Sequence, residues 1–392
     1  MKLVAQSAPY IRKPVSVKRM MLDVLIALAP VLLFACIQNG WNGIYIVLIS
    51  VAAMLVIELV CHMFIKWPSG MKFKELFSKE GFLKVKQQYT INNIIAPLIS
   101  AIIYALILPA GCNWYVVLIG AVFGMLIGKM IFGGLGSNIF NPAATGRVFV
   151  GVCFGSKLIY GQGGVDVAAS GTPLAIVKGN LGMVGQALSE YSLLDLFLGQ
   201  IPGSMGEVCA LLILVGAVYL FVRRSADLRA CLSMIGSFAI ITLVVSIVAY
   251  CVWNNQVNSI GDAPAVVQPW NYKWNVFDLF MYEMLSGGLL FGAVFMITDP
   301  VTSPTTKFGR IAFGAMAGII TALVRYCGAY PEGVAFSILI ANMFAPAMDH
   351  LMRGKANTYN WKQILGLSLV MIVICLIVGF SVASQVQIGG VA

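Results

Sequence analysis

Charge is what this chain has least of. Only 10% of its 392 residues are Asp, Glu, Lys or Arg, against 60% hydrophobic ones. Soluble domains carry about 25% charged residues, so a core wrapped in a hydrated surface is excluded. Histidine is scarce too, with His62 and His350 the only two. There is no Ser-His-Asp or His-Glu-x-x-His arrangement and no Gly-x-x-x-x-Gly-Lys-Ser/Thr loop. Self-contained hydrolysis and nucleoside-triphosphate-driven work are thereby set aside. Nine cysteines are scattered without a Cys-x-x-Cys, which indicates neither a zinc site nor a disulfide framework. Most lie in apolar runs, where Cys acts as a small hydrophobe. The one cluster role they keep is a ligand to iron–sulfur shared at a subunit interface.

Long apolar runs are what the sequence has instead. Crossing a bilayer takes about 20 apolar residues in a helix. Eleven runs qualify: 20–38, 44–64, 92–109, 114–132, 146–160, 206–222, 231–253, 276–298, 310–326, 333–352 and 363–385, of which 146–160 is the shortest. The expectation is an all-α polytopic membrane protein of about 10–11 transmembrane helices. No short apolar stretch with a cleavage signature precedes the first run, so no removable signal peptide is expected.

The net charge of +10 sits in short clusters between the runs, which is topology rather than a nucleic-acid face. With a cytoplasmic N-terminus and eleven alternating spans, 21 of the 25 basic residues fall inside. Lys157, Lys178, Lys273 and Arg325 fall outside. The longest interior polar loop, 161–205, then lies on the extracytoplasmic face. It opens Gly161-Gln-Gly-Gly-Val-Asp-Val-Ala-Ala-Ser-Gly-Thr-Pro-Leu174, where small residues leave the Thr172 hydroxyl accessible to a large group.

A weak internal repeat accompanies this layout. Gly124 to Ala143 and Gly318 to Ala347 each read as an apolar helix closing on a basic residue, a glycine turn and an Asn–Pro segment. Inverted repeats of broken helices place ligand and ion sites near their pseudo-symmetry axis. Each half would hold five helices.

Polar groups inside apolar runs are the candidates for chemistry. Glu58 and Glu283 lie well within spans. Asp299, in the hydroxyl-rich turn Met296 to Thr306, either ligates a small cation or caps its own turn. Asp349, beside His350 and Arg353, suits an ion path or a solvated ion pair equally. Asn138 and Asn141, with Pro142, either cap a half-helix or line a site for a polar ring or an ion. Both histidines flank cytoplasmic loops and read as interface anchors.

Several stretches together resemble one family, the D subunit of the Rnf electron-transport complex and its paralogue, the B subunit of the sodium-translocating NADH:quinone reductase. They are Ser7-Ala-Pro-Tyr10 with Arg19-Met-Met-Leu-Asp-Val-Leu; Phe132-Gly-Gly-Leu-Gly-Ser-Asn-Ile-Phe-Asn-Pro-Ala143; Asp166 with Thr172-Pro-Leu174; Leu285-Ser-Gly-Gly with Ile297-Thr-Asp-Pro-Val-Thr302; and Tyr330-Pro-Glu-Gly through Ala347. The short N-terminal extension favours the Rnf protein. The resemblance spans about residues 7 to 352 and leaves the run 363–385 without a role.

The resemblance implies FMN joined through its phosphate to Thr172 by a dedicated flavin transferase. The family's attachment pattern resembles Asp-x-x-Ser/Thr-Gly-Ala-Thr. Asp166 and Thr172 keep that spacing, while Ser170-Gly171 sits one place late and makes Ser170 the alternative acceptor. It further implies a second, non-covalent flavin, riboflavin or a relative, on which Asn138 and Asn141 act. It also implies a cation path through Glu58, Asp299 and Asp349, carrying Na+ or H+. The implied partners are an extracytoplasmic flavoprotein subunit and iron–sulfur subunits, in a bacterial cytoplasmic (inner) membrane. The chain then divides into a first transmembrane half (1–160), the flavin-attachment loop (161–205), a second half (206–352) and an extra C-terminal helix (353–392). A secondary transporter or channel for a small polar solute is the competing reading of the same repeats.

Overall fold

The computed structural model describes residues 16–65, 89–158, 172–178, 180–260, 274–352 and 361–386. Every one of the eleven apolar runs contains helix, and among the described residues β-pairing is limited to an isolated bridge between Pro109 and Ser204. Helix α1 (Val17–Ile65) is 49 residues long but non-helical at Gly40, with φ 55° and ψ −136°. At 1.5 Å per residue it would extend roughly 74 Å, more than two hydrocarbon thicknesses. Gly40 therefore joins two spans.

The first half continues through α2 (Asn92–Leu106), α3 (Trp114–Gly128) and α4 (Pro142–Cys153). After Thr172 come the short α5 (Pro173–Lys178), α6 (Val184–Glu190) and α7 (Leu193–Leu198). The second half comprises α8 (Ala210–Arg223), α9 (Leu228–Ile260), α10 (Val276–Leu285), α11 (Leu289–Phe291, extended by a π-helical turn Gly292–Met296), α12 (Lys307–Cys327) and α13 (Val334–Leu351). Helix α14 (Trp361–Ala383) is the extra C-terminal span. Six described helices are long and apolar enough to cross a membrane, seven if α10 and α11, bent by 55°, count as one. The chain is an all-α polytopic membrane protein.

The two halves pack alike. Helix α3 lies against α1 and α4, as α12 lies against α9 and α13. Small residues allow the close approach. A Cβ added at Gly124 would come 2.5 Å from the Pro142 carbonyl oxygen, and one at Gly318 would overlap that of Met234. Helix α14 packs on α9 and α12 but leaves Leu369, Ile372, Leu376 and Phe380 exposed. That is the surface a lipid-facing helix presents.

Two differences from the sequence-based expectation have local causes. Helix α4 begins at Pro142, earlier than the run 146–160 suggests. Asn141 is extended (φ −72°, ψ 119°), and its side chain accepts the N–H groups of Ala143 and Ala144. A residue before proline avoids helical backbone, and Pro suits the first helical position. In the second repeat, Asn342 and Pro346 lie inside an unbroken α13. There the proline follows the asparagine by four residues, so the helix loses one hydrogen bond but keeps its course.

Loops are also fastened. Arg310 pairs with Asp227, tying the α8–α9 turn to the start of α12. Asp23 on α1 accepts from Ser225 at 2.5 Å and pairs with Arg223 at 3.3 Å. All nine cysteines are free thiols.

Replacing Gly318 by Leu should force α12 away from α9. A loss of about 1–3 kcal/mol, typical of overpacking, is expected as a lowered unfolding temperature of the detergent-solubilised protein. An unchanged temperature would remove the close α9–α12 contact from the account.

Candidate functional site

The chain between α3 and α4 makes the inner site. Helix α3 ends at Lys129, a short 3-10 turn follows (Met130–Phe132), and Gly133, Gly134 and Gly136 take positive φ. Only glycine adopts that backbone readily, and the turn returns the chain to Asn141. Between this turn, α1, α2, α8 and α11 lies a cavity of about 520 Å³. Its walls are largely apolar (Val24, Ile99, Ile103, Val294, Phe295), with Ser100, Lys129, Asn138, Asn141, Thr298 and Asp299 among its polar groups. Size and lining match a site for a small molecule with a few polar edges.

The predicted residues around this cavity have definite places. Asn138 donates its amide N–H to the Phe140 carbonyl at 3.2 Å. Its amide oxygen has no hydrogen bond among the described residues. Asn141 combines the two roles read from sequence: it caps α4 and lines the cavity, and it donates to the Met296 carbonyl at 3.4 Å. With the Asn342 amide turned so that its oxygen accepts from the Asn141 N–H at 3.2 Å, its nitrogen donates to the Ile338 carbonyl at 3.3 Å. The two Asn–Pro segments of the repeat therefore meet.

The three acidic candidates are separated in role. Asp299 is half-buried on the cavity wall, accepting from the Val301 N–H at 3.1 Å and, more weakly, from the Thr302 hydroxyl at 3.3 Å. Glu58 is 1% exposed and pairs with Lys129 at 2.9 Å. Asp349 accepts from the backbone N–H and hydroxyl of both Thr305 and Thr306, at 2.8–3.0 Å. That arrangement fixes the two residues before α12, whose first turn is capped by the Thr306 hydroxyl accepting the Gly309 N–H at 3.1 Å. Among the described residues, no three His, Cys, Asp or Glu side chains converge as a metal site. His62 is buried, edge-on to the Tyr89 ring and 3.5 Å from the Asn93 amide. Helix packing on its face of α1 decides this.

The outer site surrounds Thr172. Asp166, Ser170 and Gly171 lie outside the described residues, whereas Thr172 is half-buried and its carbonyl accepts the Ala175 N–H at 2.7 Å. The segment after Thr172 is anchored to the second half. The Tyr282 hydroxyl donates to the Pro173 carbonyl at 2.7 Å. Lys178 donates to the carbonyls of Val324 and Arg325 at the end of α12, at 3.3 and 2.5 Å. Burial pushes the Lys178 ammonium below its ordinary pKa, partly offset by the nearby Glu283.

Arg325 donates to the Glu283 carbonyl at 2.6 Å, to its carboxylate at 3.0 Å and to the Ser286 carbonyl at 3.4 Å. Glu332 accepts the Gly288 N–H. These bonds serve the backbone freed where α10 and α11 break. A second cavity, of about 340 Å³, opens beside Leu158 and is lined by Arg147, Glu207, Glu332 and Met296. Because Val294 and Phe295 line the inner cavity and Met296 the outer one, the π-helical turn separates the two. Arg147, Glu207, Glu332 and the role of Lys129 escape sequence reasoning. The signal that could have found them is a charge within or bordering an apolar run.

Comparison with known proteins places this geometry. The model of the NQR2, RnfD, RnfE family matches residues 4–358. The B subunit of the Na(+)-translocating NADH-quinone reductase of Chromohalobacter salexigens is 35% identical over 69% of this chain, an alignment that spans 61% of that protein. The Haemophilus influenzae (strain PittEE) protein of the same name is 30% identical over 89% of this chain and 87% of its own length. The D subunit of the Na(+)-translocating ferredoxin:NAD(+) oxidoreductase complex of Acetobacterium woodii is 29% identical over 90% of this chain and 94% of its own. With residues 4–358 matched by the family model and a relative 30% identical over 89% of its length, the chain belongs to the NQR2, RnfD, RnfE family.

Proposed function

We propose that this chain is the membrane-embedded D subunit of an ion-translocating oxidoreductase complex of the ferredoxin:NAD type, or the B subunit of its NADH:quinone counterpart. Electrons would pass from the extracytoplasmic side inward, coupled to movement of Na+ or H+. The observation that carries this reading is the inner cavity, where Asn138, Asn141 and Asp299 from distant parts of the sequence share one apolar-walled space. Covalent FMN on Thr172 and a second flavin in that cavity follow from the family resemblance and from this fit. Flavin rings supply one-electron chemistry when bound.

The donor set suits such a ring. The apolar walls exclude water, and the unengaged Asn138 oxygen can accept from a ring N–H. The hydroxyls of Ser100 and Thr298 donate to the Ala96 and Val294 carbonyls, at 3.2 and 2.6 Å, and keep lone pairs that can accept from a ring N–H. On the outer side, Tyr282 and Lys178 hold the segment after Thr172, which fixes where the tether begins. Asp299 is the carboxylate best placed to exchange a cation with the cavity, because Asp349 is committed to the α12 terminus and Glu58 to Lys129. A change of charge in so poorly polar a space acts strongly on a nearby carboxylate. Partners would include an extracytoplasmic flavoprotein subunit, iron–sulfur subunits and a flavin transferase.

Two outcomes are expected. Expressed with a flavin transferase, the chain should give a tryptic peptide 158–178 heavier by one esterified FMN. In-gel flavin fluorescence should vanish in Thr172→Ala and persist in Ser170→Ala. An unmodified peptide would leave the solute-carrier reading as the better one. Separately, Asn138→Leu should lower the non-covalent flavin content of the purified complex several-fold and leave the covalent flavin intact. Undiminished content would remove the inner cavity as its site.

A further inference from the structure

The two halves each bury one cation against one glutamate, and the two pairs are unequal. At the end of α12, Arg325 donates to two backbone carbonyls as well as to Glu283. Its structural task, holding the break between α10 and α11, is complete. Lys129, at the end of α3, has no such task. It is 2% exposed, its ammonium lies 2.9 Å from Glu58, and Nζ has no other hydrogen-bond partner among the described residues. Desolvating two such charges costs several kcal/mol per ion, and a well-packed apolar pair is often as stable. Stability therefore does not account for the pair.

Its position does. Lys129 is the sole cation among the described residues lining the inner cavity, and Asp299 is the sole anion there. Glu58 stands behind Lys129, one turn before His62 on the same helix. An electron entering the cavity adds one negative charge beside Asp299, in a space where charge is poorly screened.

We propose that Lys129 is the counter-charge for the electron held in the inner cavity, and that Glu58 sets how much of its charge that electron meets. This rests on the reading that the cavity takes a flavin ring. Lys129 is a positioning residue here. Its proton stays on Nζ, no bond to it forms or breaks, and the electron would be supplied by the covalent flavin proposed on Thr172. Lysine suits the role through its flexible stem and compact charge, whereas Arg325 is locked by its carbonyl contacts.

The test is redox titration of the non-covalent flavin in the assembled complex, followed by visible absorbance at constant pH. At a fixed ambient potential, Lys129→Met should lower the reduced-to-oxidised ratio about tenfold. That is the size expected of one unit charge at roughly 10 Å in a medium of effective dielectric about 20. Lys129→Arg should restore the ratio. Glu58→Gln should shift it in the opposite direction, and the double variant should fall between the two singles. If Lys129→Met does not assemble, the upward shift in Glu58→Gln carries the test alone. An unmoved ratio with the flavin bound, or a downward shift in Glu58→Gln, would overturn the proposal. Failure of the parent reading looks different: Asn138→Leu would then keep its second flavin in full.

Discussion

A polar group inside a bilayer has no water to fall back on, and most of the irregular structure in this protein answers to that constraint. Where α10 gives way to α11, the freed backbone is taken up by Arg325 and Glu332. Where the chain turns back at Asn141, the side chain of that residue closes the first turn of α4. Non-helical backbone at membrane depth persists only where protein or a cavity supplies partners. Here each break lies beside a cavity or beside the segment that carries Thr172.

The same constraint explains why small and charged residues gather together. Glycines at the helix crossings let α3 approach α4 and α9 approach α12 to backbone contact. This close packing leaves few voids for water, so the buried cations must find carboxylates. Lys129 finds Glu58 and Arg325 finds Glu283. One pair borders the inner cavity. The other fastens the outer break, next to the residues that anchor the segment after Thr172.

Much of this architecture is legible in the amino-acid order. The runs mark where helices form because hydrocarbon selects composition over about twenty residues, a local property. Glu58 and Glu283 stand out because a carboxylate in an apolar run is costly wherever it lies. Asn138 and Asn141 stand out because glycine and proline punctuate a segment that should otherwise be helical. His62 reads as an interface anchor from its neighbours in sequence, yet it is buried, because Tyr89 and Asn93 reach it from beyond a long loop.

Sequence alone settled that the chain is helical and membrane-embedded, and that Thr172 and the Asn–Pro turn are unusual. Helical periodicity and apolar length are properties of contiguous residues, so they survive without a partner. Tertiary structure decided which charges meet, that Asp349 closes a helix terminus while Asp299 faces a cavity, and that Lys129 borders that cavity. Those facts depend on distances between segments far apart in the chain, and those distances are set only when the helices pack.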